Sequence, residues 1–418
     1  MAKVLPRSLP VPARLSSRRT DRAERPVPLA RRLLLAHPGR LARSISGIAF
    51  AILLMMVELG FRDGFIDSML LPIRALDADV VLLSDGKYQF DRPAPLSRRF
   101  LYEAEAVSGV ASVRPLYAAR TGALWKNPQD RRRFIVQVFA FDPDAPVFAL
   151  PAVTANLAAL RLPDTVLVDR RARDFLGTAE NGTRTELAGR RVRVASTFSL
   201  GPDFFTDGTV LMGDRTFLTF FAATAAGEAA PPGPVAPVPG LADVEAGIVK
   251  AAPGRSPEAL RRALRAALPK GVDVLTKPQL LAREAAFHAS VSPVGPVFGA
   301  GTLVGFVVGM LIAYQTLFSD VSDQLPQYAT MKAMGYASPR LAAVVLRQAA
   351  LYAAVAYGPA WILCALLFRL VSDVALMPVQ MSLSLTLITA ALTLAMCLAA
   401  ALVALRRLFS ADPAELFR

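Results

Sequence analysis

The run VGPVFGAGTLVGFVVGMLIAYQTLF, Val294–Phe318, and the polar run that follows it, SDVSDQLPQYATMKAMGYASPR, Ser319–Arg340, decide the fold between them. The first is long and apolar enough to cross a bilayer, which takes about 20 helical residues. The second is too polar for hydrocarbon and too long for a simple turn, and another apolar run begins directly after it. Working outward, four segments read as membrane spans: 44–61, 291–318, 341–370 and 383–405. Hydrophobic residues make up 54% of the 418-residue chain, and mean hydropathy is +0.41. Both are high for a soluble protein and fit a membrane protein with a large water-facing part. The expected fold is an α-helical membrane protein with four transmembrane helices. A large external α/β or α+β domain, 62–290, is inserted between helices 1 and 2.

The formal net charge of +14 has a local source. Eleven Lys/Arg residues crowd the basic segment 1–43, against Asp21 and Glu24, and the cluster ends where the first apolar run begins. Such a cluster sets membrane orientation. No aromatic-interleaved basic motif accompanies it, which argues against nucleic acid as a partner. The long basic lead and the exit through ELGFRDGF mark the first span as a retained anchor rather than a cleaved signal. With the N-terminus cytoplasmic, four spans return the tail, 406–418, to the same side. Residues 319–340 are then cytoplasmic and 62–290 external, in a multi-pass membrane protein.

Within 62–290, alternation predicts strands at 131–142, 165–169, 189–198, 207–212 and 245–251. SPEALRRALRAAL, 256–268, predicts a helix with Ser256 as N-cap, Pro257 in its first turn, and Pro269 and Gly271 as stop signals. FRDGFIDSMLLPIRAL, 61–76, continues the first span as a helix, and LLAREAAFHASV, 280–291, leads into the second. Together they read as stalks or as two short juxtamembrane helices. The Pro-rich stretch 225–240 reads as a surface loop or linker.

Catalytic signatures are not visible. HExxH, GxSxG and paired CxxC motifs do not occur, and His37 and His288 stand alone. VVLLSDGKYQF approaches a P-loop but has Val81 where the first Gly belongs and Tyr88 where Ser or Thr would hold magnesium. The chain is therefore expected to bind neither cofactor nor metal and to be no enzyme. Cys364 and Cys397 lie in apolar runs and read as small hydrophobes. Glu58 is the one carboxylate inside a predicted span, near its outer end. Gly301, Gly305 and Gly309 repeat at four-residue spacing, a pattern that allows close helix packing in lipid.

The polar run also has a local reading. Pro326 suits a first helical turn, QYATMKAM contains good helix formers, and Gly335 suits a left-handed C-cap. The helix would present Tyr328, Met331, Met334 and Tyr336. These side chains serve either a protein interface or a helix lying on lipid headgroups.

GFVVGMLIAYQTLFSDVSDQLPQYATMKAMGY, 305–336, closely resembles the second span and cytoplasmic loop of DevC-type permeases, ABC exporter subunits of the FtsX/MacB-like superfamily. GIAFAILLMMVELGFRDGFIDS and the terminal ADPAELF are similar too, as is the layout of one span, a large external domain and three spans. The resemblance implies a homodimer in the bacterial inner membrane, with 62–290 as a periplasmic domain, that works with a separate cytoplasmic ABC ATPase, which binds the ATP and magnesium. It further implies a HlyD-type periplasmic adaptor, a TolC-like outer-membrane channel, and export of a lipid, glycolipid or other amphipathic substrate from the membrane. Pro326, Tyr328, Ala329, Met331, Lys332, Met334, Gly335 and Tyr336 would form the helix that couples to the ATPase. The alternatives are FtsX-like signalling to a periplasmic cell-wall enzyme and extraction of lipoproteins.

Overall fold

The computed structural model describes residues 38–178, 180–221, 243–324, 334, 338–376 and 378–410. The chain begins in a single helix, α1 (Pro38–Ala75), with Pro72 in its last turns. From it the chain enters β1 (Val80–Ser84), α2 (Arg99–Glu105), β2 (Val110–Ala119), β3 (Leu124–Lys126), β4 (Arg133–Ile135) and β5 (Gln137–Phe141). After two single-turn helices come β6 (Thr165–Asp169), β7 (Arg184–Leu187), β8 (Arg190–Phe198), β9 (Thr209–Gly213) and α3 (Asp214–Phe220). The domain closes with β10 (Ala246–Ala251), α4 (Pro257–Ala267), β11 (Val272–Thr276) and α5 (Lys277–Ser290). Three long helices follow: α6 (Val294–Asp323), α7 (Ser338–Ala375) and α8 (Leu383–Ser410).

The strands form one mixed sheet in the order β11-β1-β10-β2-β5-β9-β6-β8-β7-β3-β4. β5–β9 and β6–β8 run parallel. The central strands β5 (QVFAF), β6 (TVLVD) and β9 (TVLMG) are buried at every position, as expected where helices or loops cover both faces of a sheet. Alternate side chains feed two cores. Val80, Leu82, Val138, Val166 and Met212 point toward α2, α3 and α4, packing with Leu101, Phe217, Leu260 and Leu264. Val81, Leu83, Phe139, Leu167 and Leu211 point the other way, toward Leu70 and Ile73 of α1, Leu76 just beyond it, and Leu280 of α5. The end of the first long helix is thus part of the domain core.

Residue chemistry explains the joints. Ser256 Oγ accepts the Ala259 N–H at 3.2 Å and Pro257 occupies the first turn of α4, the capping pattern legible in the sequence. Gly271 takes φ +106° in the turn to β11, a conformation that favours glycine. Thr276 and Gln279 form a capping box at the start of α5. Lys277 Nζ donates to the Arg74 and Leu76 carbonyls at 2.8 and 2.7 Å. It thereby satisfies the C-terminal end of α1 and ties the two stalk helices together at the sheet. At the other end of α5, a Cβ on Gly295 would lie 2.3 Å from the Ala289 carbonyl oxygen, so the bend into α6 needs glycine.

Four helices among the described residues are long and apolar enough to cross a membrane: Ile45–Ala75, Val294–Asp323, Ala342–Val374 and Leu383–Arg406. The sheet domain lies between the first and second, as the sequence predicts. Their shared core joins Ile52, Met55 and Met56 of α1 to Leu317 of α6, Tyr352 and Phe368 of α7, and Met396 and Cys397 of α8. Both cysteines are buried and free. Outward faces are apolar, with Leu303, Ile362 and Leu387 exposed. Such a surface suits lipid rather than water.

The strand expected over 131–142 is instead two. Val136 separates β4 from β5, and its N–H bonds the Ala123 carbonyl. The halves then pair with different partners, β4 with β3 and β5 with β2 and β9. VVLLS is the buried strand β1, and it, β2, β3, β7 and β11 are strands beyond those expected from the sequence.

Candidate functional site

Three glycines of α6 face α1. A Cβ on Gly301 would lie 2.5 Å from the Glu58 carboxyl carbon, one on Gly305 3.0 Å from Met55 Cγ, and one on Gly309 2.8 Å from Ala51 Cβ. Glu58 is half-buried in this seam, and glycine makes the room its carboxylate occupies. Pro326, Tyr328, Ala329, Met331, Lys332, Gly335 and Tyr336 lie outside the described residues, as do His37, 225–240 and the basic residues up to 37. Met334 is in a turn with its side chain exposed. Directly before that segment, the buried Asp320 of α6 accepts hydrogen bonds from Gln348 Nε2, at 3.1 Å, and from the Tyr352 hydroxyl, both on α7. The helices flanking the polar run are thus latched by charge-assisted bonds.

The most concentrated chemistry lies where α1 and α5 meet the sheet. A cleft of about 620 Å³ is lined there by Met69, Tyr88, Phe90, Phe205, Phe287 and Val291 on its apolar side. Its polar side holds a network of buried ionisable groups. Lys87, in the turn after β1, is fully buried, pairs with Glu245 and donates to the Arg92 carbonyl at 2.5 Å. Burial outweighs the nearby Asp91 and Glu284 carboxylates and pushes the Lys87 ammonium down to about 8. Glu284 Oε1 accepts the Phe90 N–H at 3.0 Å, yet burial pushes this carboxyl up to about 7. One turn on, His288 Nε2 lies 3.9 Å from Glu284 Oε2, and the ring stands edge-on to Phe65 and Phe287, each at 5.5 Å. Burial lowers the His288 pKa. Arg120 completes the network through Asp203 at 2.6 Å, Gln137 Oε1 at 2.8 Å and Asp91 at 3.3 Å. Asp91 Oδ1 and His288 Nδ1 have no hydrogen-bond partner among the described residues.

Sequence reasoning passed over this cluster. His288 reads there as a lone juxtamembrane residue, but the structure buries it against Phe65. A signal existed: Leu280, Glu284 and His288 repeat at four residues, so acid and imidazole continue an apolar stripe of α5. Lys87 entered only as part of a failed P-loop and carried no signal of burial. Among the described residues, no three His, Cys, Asp or Glu side chains gather as a metal-ion site. The arrangement can instead hold a proton on Glu284 near neutral pH, at the joint between a membrane stalk and the sheet.

No curated protein matches the chain. Among solved structures, the periplasmic region of MacB from Actinobacillus actinomycetemcomitans is 13% identical over 50% of this chain and 94% of its own, with a TM-score of 0.32. The extracellular domain of the noncanonic ABC-type transporter YknZ from Gram-positive bacteria is 11% identical over 47% of this chain and 99% of its own, TM-score 0.32. A domain of a putative permease protein from Porphyromonas gingivalis is 17% identical over 49% and 88%, TM-score 0.26. Residues 299–413, which carry nearly all of α6 and the whole of α7 and α8, match the FtsX-like permease C-terminal family, and this part of the chain is similar to the membrane region of such permeases.

Proposed function

We propose that the chain is the permease subunit of a tripartite ABC exporter. In this reading a separate cytoplasmic ATPase binds ATP and magnesium and docks on the helix formed by Pro326–Tyr336. Two chains form a homodimer in the bacterial inner membrane, with both termini cytoplasmic. The sheet domain works in the periplasm with a HlyD-type adaptor and a TolC-like channel, and an amphipathic substrate such as a lipid or glycolipid is exported. The family match of residues 299–413 supports the permease assignment. The observation that carries the mechanical part is α1. It is one helix that packs in the membrane core through Ile52 and Met55 and in the sheet core through Leu70 and Ile73. Movement imposed on the bundle therefore reaches the domain through a helix rather than a linker, with one ladder hydrogen bond missing at Pro72.

Pull-down of the ATPase by the wild-type chain and by Tyr328→Ala/Met331→Ala, at matched membrane levels and alongside transport, tests this reading. Loss of interface anchors costs about 2 kcal/mol or more, close to thirtyfold in affinity. Equal recruitment with unchanged transport would refute the docking helix. Recruitment without any transported substrate, and with a periplasmic hydrolase captured instead, would favour the signalling alternative.

A further inference from the structure

The loop Gly201–Gly208 is anchored in the sheet domain at both ends, and its first half follows α1. Gly201 packs near Leu71, with a Cβ position 3.4 Å from Leu71 Cδ1. Phe204 and Phe205 meet Phe65 edge-on, ring centres 5.1 and 6.1 Å away. Leu71 to Phe65 is about 9 Å along a helix, and the direction is toward the membrane.

The loop is braced rather than slack. At its start the buried Asp169 accepts the Leu200 and Gly201 N–H groups at 3.1 and 2.6 Å. In its middle Asp203 Oδ1 accepts the Phe205 and Thr206 N–H groups at 2.7 and 2.6 Å, while Oδ2 binds Arg120. At its end the Gly208 carbonyl accepts the Gln137 N–H at 2.9 Å. This framework holds two adjacent phenylalanines 41% and 50% exposed. Leaving such a side chain in water forgoes much of the free energy its burial supplies.

Two independent counts place the tip at the bilayer surface. The apolar part of α1 starts at Ile45, and about 20 residues of helix cross the hydrocarbon core, which ends near Phe65. On α6, Phe298 stacks on Phe61 at 6.5 Å and the helix begins at Val294, one turn farther out and so level with Phe65. Below that level α6 exposes Val297 and Leu303. The ion pair Arg62–Asp63 sits at the same boundary, as headgroup-level charges do.

We propose that Phe204 and Phe205 insert into the interface of the leaflet facing the sheet domain, and that this braced loop seats the domain on the membrane. Phenylalanine rings held at this depth can bury their apolar faces at the headgroup–acyl boundary, as the apolar side chains of interfacial segments do. The occupant of the surface is lipid, because the surface is continuous with the spanning faces of α1 and α6.

Phe204→Trp, made in a Trp361→Phe background to remove the lipid-facing indole, tests the seating in lipid nanodiscs. Tyr102→Trp in α2, exposed on the opposite side of the sheet, is the aqueous control. Trp125 is buried and common to both. The indole emission added at position 204 should be blue-shifted, mostly quenched by phospholipid brominated near the headgroup, and sheltered from iodide, whereas the control behaves in the opposite way. Iodide access equal to that of the control, without lipid quenching, would overturn the proposal. So would shelter that appears only on addition of a partner protein or at concentrations where two chains associate.

Discussion

The glycines of α6 meet such different surroundings that Gly→Ala becomes a graded measure of how closely α1 and α6 approach. A Cβ on Gly299 meets nothing within 4 Å. One on Gly305 would stand 3.0 Å from Met55 Cγ, and the flexible methionine can give way. One on Gly309 would stand 2.3 Å from Met396 Sδ and 2.8 Å from Ala51 Cβ. Methionine can move again, but the Ala51 Cβ is fixed to the backbone of α1, so a helix must shift. Alanine is favoured over glycine in a helix interior by about 1 kcal/mol, and overpacking costs about 1–3 kcal/mol. Gly299→Ala should therefore stabilise by up to about 1 kcal/mol, Gly305→Ala should be near neutral, and Gly309→Ala should destabilise by up to about 2 kcal/mol. Gly301→Ala should clash with Glu58 and recover when Glu58→Ala is added, a coupling that a double-mutant cycle reads directly. The assay is detergent titration of the purified chain followed by Trp361 fluorescence. If Gly309→Ala proves as stable as Gly299→Ala, the helices do not approach as closely as described and the reasoning fails.

Other expectations concern the sheet domain, and thermal unfolding followed by Trp125 emission measures each. Glu284 titrates at about 7 in the fold against an ordinary 4.5, so the folded chain binds more protons than the unfolded chain across that window. The Glu284 contribution to stability should fall as pH rises from 4.5 to 7, against an opposite contribution from His288, whose lowered pKa favours the fold as pH rises toward 6.5. Glu284→Gln should abolish most of that fall, and an unchanged pH profile would remove Glu284 as its source. Trp125 is fully buried and donates to the Leu176 carbonyl at 3.1 Å. Trp125→Phe should cost about 2–4 kcal/mol through the lost bond and the cavity, with the buried Tyr117 as the replacement probe. Arg120→Ala leaves Asp91, Asp203 and Gln137 without their shared donor. Removing one partner of a buried pair costs about 3–5 kcal/mol, and the partial exposure of Arg120 brings the expectation nearer to about 2–3 kcal/mol; a loss below the scatter of replicate melts would show that water replaces it freely.

The membrane helices were legible because their signal is long and composition alone carries it. Ser256, Pro257 and Gly271 were legible because caps and turns are local chemistry, and the structure uses each as its residue type dictates. Strands such as TVLVD and EAGIVKA showed their buried character in a few residues. The charged joint was not legible. Lys87, Arg120, Asp203, Glu245 and Glu284 are scattered along the whole length of the sheet domain, and each alone reads as a solvated surface residue. Only the sheet order, which lays β1 beside β10 and β10 beside β2, brings them together. The division of 131–142 was invisible for a similar reason, since β4 pairs locally with β3 whereas β5 takes its partner β9 from about 70 residues farther along the chain.

The two struts that carry the sheet domain are mechanically unequal. One, α1, has 38 residues in a single helix, about 57 Å of stiff shaft. The other is articulated: α5 and α6 are separated by Val291–Pro293, and their elbow is so tight that only glycine fits at position 295. A stiff shaft beside an articulated arm is a crank. If the shaft inclines by about 5° about Phe65, where the aromatic tip of the Gly201–Gly208 loop meets it, its opposite end, about 40 Å away, swings by about 3.5 Å and its sheet end, about 15 Å away, by only about 1 Å. The short arm lies on the sheet side, so such a tilt reaches the domain as a small rocking about the loop tip, while the elbow absorbs the change in length on the other side.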